Sequence, residues 1–264
     1  MSRLTEAVIR EKRQLATLMD DPFAMEFFRD NIPCVQRMLR IIMGRDDLIV
    51  KSVKVQYVMK AADSSRYVRL DIYAIDFENR HYDTEIQVMS EGAAPQRARY
   101  NSAMIDVNIL KTGEDYALLK ERESVVIFIT EKDVLGEGEP IYVIDRVIRK
   151  SGKPFNDGSH IVYVNASHQD SSTELGKLMH DFHCVKPEDM IYPDFAEKAR
   201  EVKGEGTMGV WQEIEADAIA EGRAQERNNI ALSLLKLGHN ALEDIAKVCN
   251  LTLQQVQELA KTIA

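Results

Sequence analysis

Apolar residues recur at two different periods along this chain, and the change of period marks its organisation. Leu4, Val8, Leu15 and Leu18 fall at helical spacing; Asp20-Asp21-Pro22 closes that stretch and starts a short helix over Phe23 to Phe28. Pro33 opens the next helix, with Val35, Met38, Leu39, Ile42 and Met43 on one face and Gly44 at its end. From Val50 the period becomes two. Val50 to Met59 reads as a strand, and two further runs, 66–76 and 82–88, read as strands around the polar turn Phe77-Glu-Asn-Arg-His81. A turn this short makes the two runs antiparallel neighbours. After a loop of small residues at 90–95, helical spacing returns over Gln96 to Leu110, with Ala98, Ile105 and Leu110 as expected buried positions.

Val125-Val-Ile-Phe-Ile-Thr130 carries almost no polar side chain, which predicts a central strand buried on both faces. A turn containing Gly136, Gly138 and Pro140 leads to an expected strand over 141–148. Asn156-Asp157-Gly158 signals a turn before another over 160–164. From Glu174 onwards the pattern is helical. Gly204 and Gly206 suggest a boundary, so the expected domains are 1–203, an α/β unit, and 204–264, a helical C-terminal tail. The tail reads as a charged helix over 209–228 and then a hairpin broken at Gly238 and Asn240, with a second turn at Asn250-Leu251-Thr252.

The acidic hairpin holds the candidate chemistry. Alternation puts Asp71 on one face with Tyr73 and Ile75, and Glu85 on one face with Asp83 and Gln87. If the register brings these faces together, Asp71, Glu85 and Gln87 form a compact group of oxygens suited to a hard divalent cation such as Mg²⁺. That is the minimum for metal-assisted phosphodiester hydrolysis. The alternative for Asp71 is a salt bridge to Arg69 or Arg97; for Glu85 and Gln87 it is a solvated sheet edge. Asp76 and Asp83 flank the turn and are expected to face solvent, and Tyr73 to pack beside the site.

Composition narrows this only slightly. The chain has 264 residues, 45% hydrophobic and 29% charged, as expected of a globular protein. Cys34, Cys184 and Cys249 lie far apart without a CxxC, which argues against a disulfide framework or a structural zinc site. The first residues lack the apolar stretch of a signal peptide, and no apolar run approaches the ~20 residues of a membrane span, so a cytoplasmic location and no membrane partner are expected. The net charge of −9 opposes a strong non-specific grip on nucleic acid. It is uneven, however: residues 1–100 hold 16 Lys+Arg against 15 Asp+Glu, and the remainder 18 against 28. The half with the hairpin is thus nearly neutral, and a local basic surface is compatible with the total.

Asp71, thirteen intervening residues and then Glu85-Ile86-Gln87, set in the order helix, strand, acidic hairpin, helix, central strand, resembles the PD-(D/E)XK nuclease superfamily. It looks most like the bacterial branch of PD-(D/E)XK family transposases, or recombination-promoting nucleases. Arg97-Ala-Arg99-Tyr100, Val126-Ile-Phe-Ile-Thr130 and Pro140-Ile-Tyr-Val-Ile144 also look like that branch, and the resemblance covers about residues 20–200. It implies a restriction-endonuclease-like core, a mixed central sheet flanked by helices. It also implies a Mg²⁺-dependent DNA endonuclease, with Mn²⁺ an alternative ion, serving recombination or transposition of mobile elements. Asp71, Glu85 and the Ile86 carbonyl would hold the metal. Gln87 stands where most of the superfamily has Lys; an amide orients water but is neither a cation nor a base. Arg97 or Arg99 would bring positive charge to the phosphate, and Glu26 or Asp30, from the first helix, would complete the acidic site. Two-strand cutting would call for a homodimer on DNA. The rival reading is a catalytically inactive nuclease-fold module that binds DNA or regulates.

Two other patterns invite function. His180-Asp-Phe-His183-Cys184 offers metal-ligand types at helical spacing, but no partner cluster accompanies it and a structural helix is expected. The stretch from Leu242 reads as a helix-turn-helix, with Gln254, Gln255 and Gln257 able to touch bases. Its second helix carries no Lys or Arg before Lys261, which favours a packing or oligomerisation hairpin.

Overall fold

The computed structural model of the chain describes residues 6–60, 67–204, 226–237 and 241–261. The chain divides into two compact units, Met1–Thr207 and Met208–Ala264. In the first, α1 (Glu6–Leu15), α2 (Asp21–Phe28) and α3 (Ile32–Met43) precede a meander of three strands, β1 (Val50–Lys60), β2 (Tyr67–Asp76) and β3 (His81–Gln87). A 3₁₀ turn (Ser90–Ala93), α4 (Pro95–Ile109) and the short α5 (Leu118–Glu121) lead to β4 (Ser124–Thr130), β5 (Ile141–Ile144) and β6 (Ser159–Asn165). The unit closes with α6 (Glu174–His183) and α7 (Pro193–Lys203). The six strands form one mixed sheet in the order β1-β2-β3-β4-β6-β5, so the unit is α/β with helices flanking a mixed sheet.

The expected central strand is β4. It runs parallel to β3 on one side and to β6 on the other, and each of its seven residues is buried. Val126 and Phe128 join Ala98, Met104, Ile105 and Ile109 of α4 in one apolar cluster. Val125, Ile127 and Ile129 point to the other face and are equally buried, so helices cover the sheet on both sides. In the helical layer, α2 is apolar nearly all round. Its Phe27 and Phe28 rings meet Phe195 of α7 at 5.2 and 6.3 Å, and Phe28 meets Phe182 of α6 at 6.1 Å. Asn31 Oδ1 caps α3 by accepting from Cys34 N, and Gly44, at φ +61, reverses the chain at its end.

The first and last helices of the unit are tied to each other. Arg13 Nη1 donates to Gly204 O at 2.7 Å and Gln14 Nε2 to Lys203 O at 3.0 Å. The buried Lys203 ammonium donates in return to the carbonyls of Gln14, Ala16 and Val185.

Two sequence expectations change here. The strand expected over 141–148 ends at Ile144, and the chain continues as a narrow exposed ribbon. Alternation is also not continuous along β2. Val68 and Leu70 pack in the same apolar cluster as Tyr73 and Ile75, so the inward-facing frame shifts by one at Asp71. The partners of β1 and β2 (Val55 with Ile72, Tyr57 with Leu70) set Gln56 across from Asp71, and Gln56 has the left-handed φ of +50 that side chains seldom adopt.

The second unit is helical, with α8 over 226–237, α9 (Leu242–Cys249) and α10 (Leu253–Lys261). Ala231, Ile245, Ala246, Cys249 and Val256 form its core. Between α9 and α10 the chain turns through Asn250 (φ +52), and Thr252 and Gln255 cap each other reciprocally. That bond occupies Gln255, one of the three glutamines considered for base contacts. The charged helix expected over 209–228 lies largely outside the described residues, as do Gly206, Gly238 and Asn240. Among the described residues no helix is long and apolar enough to cross a membrane. Cys34, Cys184 and Cys249 are buried free thiols.

Candidate functional site

The β2–β3 register decides which acids meet. Tyr73 pairs with Asp83 and Ile72 with Thr84, where the ladder ends, so Asp71 lies just past its last rung, close enough to Glu85 to feel its charge. Ile86 N donates to Asp71 Oδ2 at 3.2 Å. Asp83 and Glu85 point to the face that α4 covers. Arg97 and Asn101 lie one helical turn apart on α4 and so point the same way. Asn101 Nδ2 donates to Asp83 Oδ2 at 2.9 Å and to Glu85 Oε1 at 3.2 Å. Arg97 pairs with Glu85 Oε2 and also donates to Gly92 O at 3.0 Å. Gln87 follows on the same face at the rim. Its amide lies over Gly92, where any Cβ would collide with Gln87 Oε1. Tyr73 packs beside the group, stacked on Tyr57 at 5.2 Å and hydrogen-bonded to His81.

The result is three carboxylates, Asp71, Asp83 and Glu85, with one guanidinium among them. Asp83 and Glu85 are fully buried. Burial raises Asp83 to about 7, the Asp71 charge adding to it while Asn101 opposes. Burial raises Glu85 to about 8, reinforced by Asp83 and opposed by Arg97. Asp71 is pushed well above the usual carboxylate range by burial, then by Glu85 and Asp21. A dry site cannot keep three such groups ionised against one positive charge, so protons or a cation must complete it. One oxygen marks the deficit: Asp83 Oδ1 is buried and accepts from no N–H, and a proton held between Asp83 and Glu85, whose side chains lie within hydrogen-bond reach, is one way to meet it. Oxygen-only donors on two adjoining strands are the donor type a hard divalent cation takes, although their ligand atoms do not all lie within 4.8 Å of one another.

Several sequence expectations need correcting. Asp83 does not face solvent; it is part of the cluster. Asp76 is buried too, accepting from Arg80 N at 2.8 Å and Tyr82 OH at 2.9 Å, and so holds the turn together. The helical acid that adds its charge to Asp71 is Asp21, at the start of α2. Glu26 instead pairs with Arg29 at 3.0 Å, and Asp30 is exposed at the turn after α2. Arg99 is exposed and about 200° around α4 from Arg97, away from the acids. Arg97 does reach them, but as the partner of Glu85. The sequence signal for Asp83 was present, since it shares the Glu85 face. Asn101 was signalled only by its four-residue spacing from Arg97.

A second group of metal-ligand types exists in the helical layer. Atoms of His180, Asp181 and Cys184 lie within 4.8 Å of one another. Asp181, however, accepts from Ile191 N at 2.7 Å and Tyr192 N at 2.9 Å, holding the approach to α7. His183 turns away to Met179 O and Glu131. This group is what the expected structural helix needs to hold its neighbour.

Comparison of the chain with family models, with curated proteins and with solved structures finds no match.

Proposed function

We propose that this chain is a metal-dependent DNA endonuclease of the PD-(D/E)XK kind, with a restriction-endonuclease-like core, akin to the transposase and recombination-promoting branch. One observation carries the reading: two buried carboxylates, Asp83 and Glu85, lie beside a half-buried third, Asp71, on a strand hairpin, and Asp83 Oδ1 among them has no N–H donor. Support also comes from the order of parts, with Asp71 on β2, Glu85-Ile86-Gln87 on β3 and a helix carrying Arg97 directly after.

On this reading Asp71, Glu85 and the Ile86 carbonyl would hold Mg²⁺ or Mn²⁺, and Asp83 would add a further oxygen. The ion would supply Lewis-acid polarisation of the scissile phosphate and acidify a bound water. The chain's own residues do the positioning. Asn101 fixes Asp83 and Glu85 relative to each other, and Arg97 orients Glu85 from the opposite oxygen. The Arg97 side chain is 37% exposed, so its guanidinium is also open to a phosphate. Gln87, at the rim, orients water without exchanging a proton. Asp21, whose charge raises Asp71, joins Glu26 and Asp30 as a candidate helical acid. Cutting both strands with one such site per chain calls for a homodimer on DNA.

The test is nicking and cleavage of plasmid DNA by wild type and Glu85→Ala with Mg²⁺, Mn²⁺ or EDTA. Cleavage that needs both the metal and Glu85 establishes the activity. A folded wild type that cuts under no metal favours the second reading, a binding or regulatory module that has lost the chemistry. Two observations lean towards that module: Gln87 occupies the usual Lys position, and Arg97 already neutralises Glu85.

A further inference from the structure

Beyond β5 the chain leaves the sheet. Residues 143–156 are all exposed, fourteen in succession. They form a two-stranded ribbon: Phe155 N donates to Arg146 O at 2.9 Å, Ile148 N to Lys153 O at 2.8 Å, and Val147 bridges Pro154. The tip turns through Gly152 at φ +68. Among the described residues nothing covers it, and Val143, Val147 and Phe155 are 64%, 59% and 59% exposed. A free, apolar sheet edge of this kind invites association.

Charge identifies the associate. Residues 146–156 contain Arg146, Arg149, Lys150 and Lys153 and no acidic residue, in a chain of net charge −9. Arg146 is held at the base by Asp157, which leaves the three remaining cations grouped around the tip. The ribbon is also placed in relation to the acids. Asp83 pairs with Val126, Val126 with Ile161 and Ile161 with Ile144, the last residue of β5. The ribbon therefore departs from the same rank of the sheet as Asp83, three strands and about 14 Å away.

We propose that the ribbon over 146–156, flanked by Asp145 and Asp157, is a nucleic-acid arm. Arg149, Lys150 and Lys153 contact phosphates of duplex DNA, and the ribbon lies in the major groove, which admits a two-stranded β-ribbon. Phe155, on the returning strand, supplies apolar contact within the groove. The arm rests on the nuclease reading for its role, as an anchor for duplex at the end of the sheet away from the Gln87 rim, and its binding can be measured without cleavage.

The experiment is fluorescence anisotropy of the full chain with a short labelled duplex in EDTA, across a salt series. Wild type is compared with Arg149→Glu/Lys150→Glu/Lys153→Glu and with Phe155→Ala. A control, Lys177→Glu/Lys186→Glu/Lys198→Glu, makes the same change in net charge on the helical layer. The arm triple variant should bind about tenfold or more weakly, and its slope of log K against log salt should shrink by about 2 to 3. The control should keep the wild-type slope. An arm variant with wild-type affinity and slope overturns the proposal, as does an equal loss in the control. Sedimentation of the same proteins supplies the other outcome: loss of a dimer with DNA binding intact makes the ribbon a self-association surface and overturns the proposal. Arm-dependent binding without metal-dependent cleavage would remove the nuclease reading and leave the arm. Cleavage with unchanged KM in the arm variant would do the reverse.

Discussion

Two groups of metal-ligand side chains sit in the first unit, and they differ in how their acceptor oxygens are used. His180, Asp181 and Cys184 are as close together as ligands would be. Yet both Asp181 oxygens accept backbone N–H groups of the turn before α7. In the β2–β3 group, Asn101 and Arg97 satisfy some of the carboxylate oxygens, Asp83 Oδ1 accepts from no N–H, and all three acids are driven towards protonation. Proximity favours the helical group: among the described residues it is the set of three whose ligand atoms all lie within 4.8 Å of one another, and the three acids of the hairpin are not so close. Unused acceptor capacity in a dry place, where it is costly to leave, separates them.

The sharpest way to break this contrast is to remove one acid from each group. Glu85→Ala or Asp71→Ala should reduce metal-dependent cleavage to background, about a thousandfold or more, with the thermal transition retained. Cleavage at the wild-type rate would end the assignment. Asp181→Ala should do the opposite: it leaves two backbone donors without an acceptor and costs about 2–4 kcal/mol of stability in denaturant titration, while Mn²⁺ affinity and cleavage per folded molecule stay unchanged. A loss of metal binding there would make the helical group a site after all. Asn101→Ala frees Asp83 and Glu85 without removing a charge, and activity or metal affinity should fall about 10–100-fold, as expected for an orienting partner.

A further effect is a pH dependence. Asp83 and Glu85 have folded-state values raised to about 7 and about 8, so between the ordinary carboxylate range and pH 8 the folded chain holds protons that the unfolded chain has released. Stability in EDTA should therefore fall as pH rises through that window. Asp83→Asn should flatten the profile, and Mg²⁺ added near pH 8 should restore stability by binding only the folded state. A profile in EDTA that rises from pH 5 to pH 8 would show that the cluster is not the buried, proton-holding group described above.

Much of the scaffold was readable from periodicity. The apolar run over 125–130 announced its central position because a strand buried on both faces has no reason to carry polar residues. The hairpin was equally legible, and its alternation set Glu85 beside Asp83. Asp83 departs from the solvent exposure expected beside a turn because α4 lies over it. Asp21 was passed over because the approach of α2 to β2 is a tertiary fact with no local signature. Glu26, nearer the middle of the same helix, found its partner three residues along instead. The frame shift at Asp71 was likewise hidden, since it depends on the backbone of Gln56 in a neighbouring strand.

The tie between α1 and α7 has a consequence of a different sort. Because Arg13 and Gln14 bond to the carbonyls of Gly204 and Lys203, the end of α7 lies beside the end of α1, and the length of that ten-residue helix is what separates the unit from a closed ring. A ring can be opened elsewhere. A linker spanning that length, from Gly204 to the start of α1, with new ends cut at the exposed tip Ser151-Gly152, should give a permuted chain that refolds to the same sheet. Such a permutant would divide the ribbon into two loose strands while leaving the order of parts around Asp71 and Glu85 unbroken. Topology, rather than sequence position, would then be seen to hold the acids together.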